Sequence, residues 1–147
     1  MKLLFMVCFL QFTILAFCQD GKVVITCEPI VIKCIQPTSG NYYINSLKEY
    51  NDSITKTSTN SECSNYDLPI IDFEKYSLLG FVTAVGGCDE PEVKYFMVQN
   101  EVYNKEEFCI EVNVLGECLR NNIVEIWCLI PKTNYEMKFN INYFYTK

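Results

Sequence analysis

A chain of 147 residues, half of them hydrophobic and with 10 Tyr and 10 Phe, carries enough apolar surface to fill one domain core. Its 12 Lys and Arg stand against 18 Asp and Glu; without clustered cations to replace phosphate counterions, a nucleic-acid partner is excluded and an anionic membrane surface is disfavoured. There is no histidine, which removes the usual general base of Ser and Cys hydrolases and the commonest zinc ligand.

Residues 1–18 read as a signal peptide. Lys2 supplies the positive start, Leu3 to Phe17 is apolar apart from Gln11 and Thr13, and the small residues Ala16 and Cys18 stand at signal-peptidase spacing before Gln19-Asp20-Gly21. The apolar run falls short of the roughly 20 residues that cross a bilayer, and no later segment comes closer. The expectation is a secreted or periplasmic protein with no membrane span, whose mature part, 19–147, is one β-rich domain. Leu15-Ala16-Phe17-Cys18 also resembles a lipoprotein box, but Phe17 is bulky where that box wants Gly or Ala, so a lipid anchor at Cys18 is disfavoured. Setting Lys2 aside leaves 11 basic residues against 18 acidic ones, a net charge of −7, with Arg120 the only arginine.

In the mature part, Lys22 to Thr26 and Pro29 to Ile35 are rich in Val and Ile and read as strands. Asn41 to Asn45 reads as a short aromatic strand. Ser46 followed three residues later by Glu49 has the form of a capping box, and Leu47, Tyr50 and Ile54 share one face of the short helix it would start. Asn51-Asp52-Ser53 matches a glycosylation sequon, a triplet common enough to arise by chance. Thr55 to Tyr66 is a polar loop holding Cys63. Pro69 to Phe73 leads into a strand over Tyr76 to Val85, and Gly86-Gly87 marks a turn. Val93 to Gln99 is a further strand. Phe108 to Leu115 alternates, with Phe108, Ile110, Val112 and Val114 on one face. After a turn over Gly116 to Asn122, Ile123 to Ile130 is almost continuously apolar, and Met137 to Tyr145 alternates again. The fold class is α+β: mainly antiparallel β, sandwich or barrel-like, with one short helix.

Seven cysteines lie outside the signal: Cys27, Cys34, Cys63, Cys88, Cys109, Cys118 and Cys128. An oxidising compartment pairs most of them, and an odd number leaves at least one over. No C-x-x-C pair occurs, so zinc and redox chemistry are both disfavoured. If Phe108 to Leu115 and Ile123 to Ile130 form a hairpin, Cys109 faces Cys128 and can bridge to it. In that arrangement Cys118 sits in the hairpin turn, and a Cys88–Cys118 bridge pins it to the Gly86-Gly87 turn. Cys27 and Cys34 then pair locally around Pro29, which leaves Cys63 free. The alternative is that several of these are buried small hydrophobes. The order of preference is Cys88–Cys118, Cys109–Cys128, Cys27–Cys34.

The run Tyr43-Ile44-Asn45-Ser46, the short acidic helix, and Leu68-Pro69-Ile70-Ile71-Asp72-Phe73-Glu74-Lys75-Tyr76-Ser77-Leu78-Leu79-Gly80 resemble small exported bacterial proteins of the kind of the PrcB C-terminal domain, a protease-complex subunit. The Gly86-Gly87-Cys88 turn and the closing Leu129-Ile130-Pro131-Lys132 are similar too, so the likeness spans roughly Asn41 to Asn140. It departs in the paired-looking cysteines and in the lack of a longer Gly-rich turn. The resemblance implies a compact antiparallel β-domain with one helix that acts by protein contact, and it favours Cys88–Cys118. At the level of β-architecture the chain also resembles chagasin-type inhibitors of cysteine proteases, in which Gly86 and Gly87 would form a candidate binding loop entering a protease cleft. The other reading of these glycines is a tight turn only.

The resulting expectation is a non-enzymatic binding or accessory module with a protein partner, for which the resemblance suggests an exported protease, and with no cofactor and no metal. One alternative is a structural surface protein stabilised by disulfides. Another is an enzyme using carboxylates, for which Asp72, Glu74, Asp89 and Glu90 are the candidates, although all have ordinary roles at caps and turns.

Overall fold

The computed structural model describes residues 22–57 and 61–146. The signal-peptide reading, the Gln19 start, Cys8 and Cys18 lie outside them. Eight strands form two four-stranded sheets packed face to face, with a helical layer on one of them. The strands are β1 (Lys22–Ile25), β2 (Glu28–Pro29), β3 (Gly40–Ile44), β4 (Tyr76–Val85), β5 (Glu92–Asn100), β6 (Lys105–Leu115), β7 (Asn122–Pro131) and β8 (Glu136–Thr146); α1 (Leu47–Ser53) and the single turn α2 (Ser61–Ser64) lie between β3 and β4. One sheet has the order β1-β5-β6-β8, the other β2-β7-β4-β3. All pairings are antiparallel except β6 with β8. Parallel strands need a long connection, and here β7, which lies in the opposite sheet, is that connection.

The core between the sheets follows from alternation. Phe108, Ile110 and Val112 of β6 are completely buried against Leu79 and Phe81 of β4 and Cys128 and Ile130 of β7. A second core lies on the far face of β4 and β7, where Leu78, Val82 and Trp127 meet Ile32, Tyr50, Ile54, Ile71 and Phe73. β4 over Ser77 to Val82 and β7 around Ile126 to Cys128 are therefore buried on both faces, which is why these stretches read as continuous apolar runs, whereas β6 covers one core and alternates. Gly80 makes this layer possible. Tyr42 and Trp127 flank it across the sheet, their ring centroids 5.1 Å apart, and an added Cβ at residue 80 would fall inside the indole ring.

The helix forms at its cap signal. Ser46 Oγ accepts from the Glu49 N–H at 3.2 Å, but the Glu49 carboxylate reaches back to the Asn45 N–H at 2.7 Å, one residue beyond the position a capping box uses. Tyr50 and Ile54 are buried as the spacing predicts; Leu47, expected beside them, is exposed. The expected strand over Pro29 to Ile35 shrinks to Glu28–Pro29, with Ile35 keeping one isolated bridge to Lys56.

The hairpin of β6 with β7 does not form. Those strands belong to different sheets, and the 116–121 connection crosses from one to the other. Cys109 is consequently not opposite Cys128: it faces away from the core between Phe96 of β5 and Asn140 of β8. The bridges are Cys27–Cys128, Cys34–Cys63 and Cys88–Cys118, with Cα–Cα distances of 5.6, 5.4 and 4.7 Å, and among the described residues Cys109 is the cysteine left free. Cys88–Cys118 agrees with the turn argument. Cys109–Cys128, Cys27–Cys34 and a free Cys63 are corrected: Pro29 pairs with Cys128 in the sheet, so β2 lays Cys27 beside β7 rather than folding it back on Cys34.

Candidate functional site

The best-defined surface feature lies at the end of the sandwich where two connections cross between the sheets, residues 86–91 from β4 to β5 and 116–121 from β6 to β7. The Cys88–Cys118 bridge joins them. Backbone bonds reinforce it: the N–H of Gly87 donates to Cys118 O at 3.2 Å, that of Cys88 to Leu115 O at 2.7 Å, and that of Gly116 to Thr146 O at 2.9 Å. The Asn122 side-chain amide donates to Asp89 O at 3.0 Å and Gly87 O at 3.4 Å.

The glycines allow this close approach. Gly87 has φ 138°, and a Cβ there would lie 3.0 Å from Leu115 O. Gly116 has φ 75°, and a Cβ there would lie 2.6 Å from Cys88 Sγ. Gly87 is buried against the neighbouring connection. Of the candidate loop, Gly87 is thus buried at the base of this end, while Gly86 is exposed. What projects is Glu117 to Asn121, in which Leu119 is fully exposed at 102 % and Arg120 is exposed beside it. The composition held a signal for this, since Leu119 is the one large apolar residue in an otherwise polar turn and precedes the only arginine. Further along, Ile123 is exposed and borders a shallow groove of about 280 Å³ that Ile35, Pro37 and Val82 also line.

The other candidates do not gather into a site. Asp72 accepts from the Glu74 N–H at 3.1 Å and pairs with Lys75 at 3.0 Å; these contacts, the Lys75 bond first, hold its carboxyl below the usual range. Glu74 is exposed in that same turn, and Asp89 and Glu90 are exposed in the 86–91 connection. Among the described residues no group of three or more His, Cys, Asp or Glu side chains is placed to hold a metal ion. Burial, aided by Glu107 and Glu111, pushes the Cys109 thiol up, so it stays protonated, unlike an activated nucleophile.

The fold is therefore a disulfide-linked β-sandwich with a helical cover, and three bridges belong to an oxidising environment. Among the described residues no helix is long and apolar enough to cross a membrane. Comparison of the chain with protein-family models, curated proteins and solved structures finds no match.

Proposed function

We propose that this protein is an exported, non-enzymatic binding module that presents the loop Glu117 to Asn121 to a protein partner. The observation that carries this reading is the full exposure of Leu119 on a loop held by a disulfide and by backbone bonds. An apolar side chain is placed in water at some cost, and a pre-ordered loop loses little entropy on docking. Arg120 adds the residue type that most often anchors protein interfaces alongside aromatics. The sequence contains no histidine, the usual general base of Ser and Cys hydrolases.

Capture from the exported fraction tests this with two baits, the mature chain and Leu119→Asp/Arg120→Glu. A partner held by the first and lost by the second supports the reading. Identical capture by both, or turnover of peptide, ester or glycoside substrates by the pure protein that one carboxylate substitution abolishes, overturns it. The finer reading, that the partner is an exported protease, rests on the resemblance to protease-associated β-domains. Slowed peptide cleavage by the captured protease when the chain is added supports that reading, and an unchanged rate argues against inhibition.

A further inference from the structure

We propose that β8 is a self-association edge, along which two copies of this chain pair antiparallel about a two-fold axis at Ile141 and join their sheets into one. Among the described residues β8 is the last strand of its sheet and is 11 residues long, whereas the strand at the opposite edge, β1, has only 4. Its backbone direction is known from its ends: Glu136 N–H donates to Asn104 O, and Thr146 O accepts from Gly116 N–H. Successive residues of a strand turn their N–H and C=O groups to alternate sides. Even-numbered residues therefore bond toward β6, and Met137, Phe139, Ile141, Tyr143 and Tyr145 offer theirs to the open side.

Natural sheets guard such an edge with charges, proline or a bulge. Here Phe139 to Thr146 contains no charge and no proline, and its register with β6 is uninterrupted; the charges of β8, Glu136 and Lys138, stand at its start. The lack of cover also shows in the side chains. Phe108, Ile110 and Val112 of β6 are completely buried, while their inward-facing neighbours on β8 are half-buried at Phe139 and Ile141 and 41 % exposed at Tyr143. Phe144 and Tyr145 are 52 % and 77 % exposed.

Self-pairing suits this edge better than pairing with an arbitrary strand, because the sequence is complementary to itself about Ile141. In that register Ile141 opposes Ile141 of the second copy, and both are edge-facing, as a hydrogen-bonded pair requires. Phe139 opposes Tyr143, an aromatic cross-strand pair, and Asn140 opposes Asn142, two amides able to bond across the seam. Lys138 opposes Phe144, which borders a hollow of about 270 Å³ that Glu92, Glu111 and Lys94 also line. Each copy thus brings a cation toward an aromatic ring and a hollow whose two carboxylates outnumber its one lysine. On a chain of net charge −6, this edge lets two copies meet with no carboxylates opposed. One strand pair buries less than the roughly 800 Å² per partner of a standard stable interface, so the dimer is reversible and depends on concentration.

Sedimentation velocity on the mature chain, from low to high micromolar concentration, tests the proposal in a Cys109→Ser background that removes intermolecular disulfides. A monomer–dimer equilibrium is expected. Ile141→Pro deletes an edge-facing N–H without touching a bond to β6, and should give monomer. Asn140→Lys/Asn142→Lys opposes like charges in the stated register and should weaken the dimer at least tenfold. Asn140→Glu/Asn142→Lys opposes unlike charges at the same positions and should restore it. Both charge variants sit at exposed positions, so they decide the matter even if the proline variant unfolds. A monomer at every concentration, a dimer indifferent to the charge variants, or failure of the charge-reversed variant to restore association overturns the proposal.

Discussion

Gly80 and Trp127 form the tightest side-chain packing on the outer face of the β4–β7 pair. The indole occupies the place where any larger residue at 80 would put its Cβ, so Gly80→Ala must move either the ring or the strand. Overpacking of this kind costs about 1–3 kcal/mol. Because Trp127 is the only tryptophan and is buried, the change should appear both as a lower denaturation midpoint and as a red-shifted emission maximum. Unchanged emission would show that the indole does not lie over residue 80. Glu106 is the other exceptional residue. It points into the core beside Gln99 and Met137, is 3 % exposed, and its Oε2 has no hydrogen-bond partner among the described residues. Burial raises its carboxyl above the usual range, and a hydrogen bond with Thr133 opposes this only in part. The folded state therefore holds the proton to higher pH than the unfolded chain. The stabilisation is complete below the unfolded value of about 4.3 and is lost as pH rises through the folded value. Glu106→Gln, which stays neutral, should raise the denaturation midpoint at about pH 8 and lose that advantage near about pH 4. Equal stability gaps at the two pH values would contradict this.

At the scale of elements, local signals and burial decide different things. The Ser46 cap is a purely local device that satisfies one helix-start amide, and Ser46→Ala should lower stability by about 1 kcal/mol, read as a shift in urea midpoint at constant slope. The exposed Lys48–Asp52 pair, at 2.8 Å, lies on the solvent side of the same helix, and pairs of this kind contribute little. Leu47 shows where helical periodicity misleads: it stands in the first turn, where the chain has only just left β3, and the packed face begins at Tyr50. The strand patterns were more informative than a pairing built on sequence adjacency. β6 alternates throughout because it has solvent on one face, whereas β7 is buried on both faces around Ile126 to Cys128. The contrast in apolar pattern was legible in the sequence, but that the two strands lie in different sheets was decided only by the tertiary structure.

At the scale of the molecule, the disulfides tie together parts that the sheets hold only loosely. Cys27–Cys128 joins the first strands to β7 across 101 residues, Cys34–Cys63 closes the helical cover over 29, and Cys88–Cys118 clamps the two crossing connections over 30. Each restricts the unfolded chain, a contribution of about 2–4 kcal/mol. Replacing Cys88 and Cys118 together by Ala should cost that much and leave the sheets intact by circular dichroism, while weakening capture through Leu119. Peptide mapping without reduction should recover these three linkages, with Cys109 alone alkylated; a Cys109–Cys128 peptide would restore the hairpin and refute the two-sheet arrangement.

The sequence by itself determined the mainly antiparallel β class, the single capped helix and most strand positions, because alternation, caps and turn residues act over a few residues; the Cys88–Cys118 bridge was its first preference, but the hairpin it was argued from does not form. Only the tertiary structure decided which strands are neighbours, that Cys128 pairs with Cys27, that Cys109 is left over among the described residues, and that Leu119 is fully exposed while Gly87 is buried. Those outcomes depend on burying two faces of β4 and β7 at once, a balance of long-range packing that no short stretch of residues encodes.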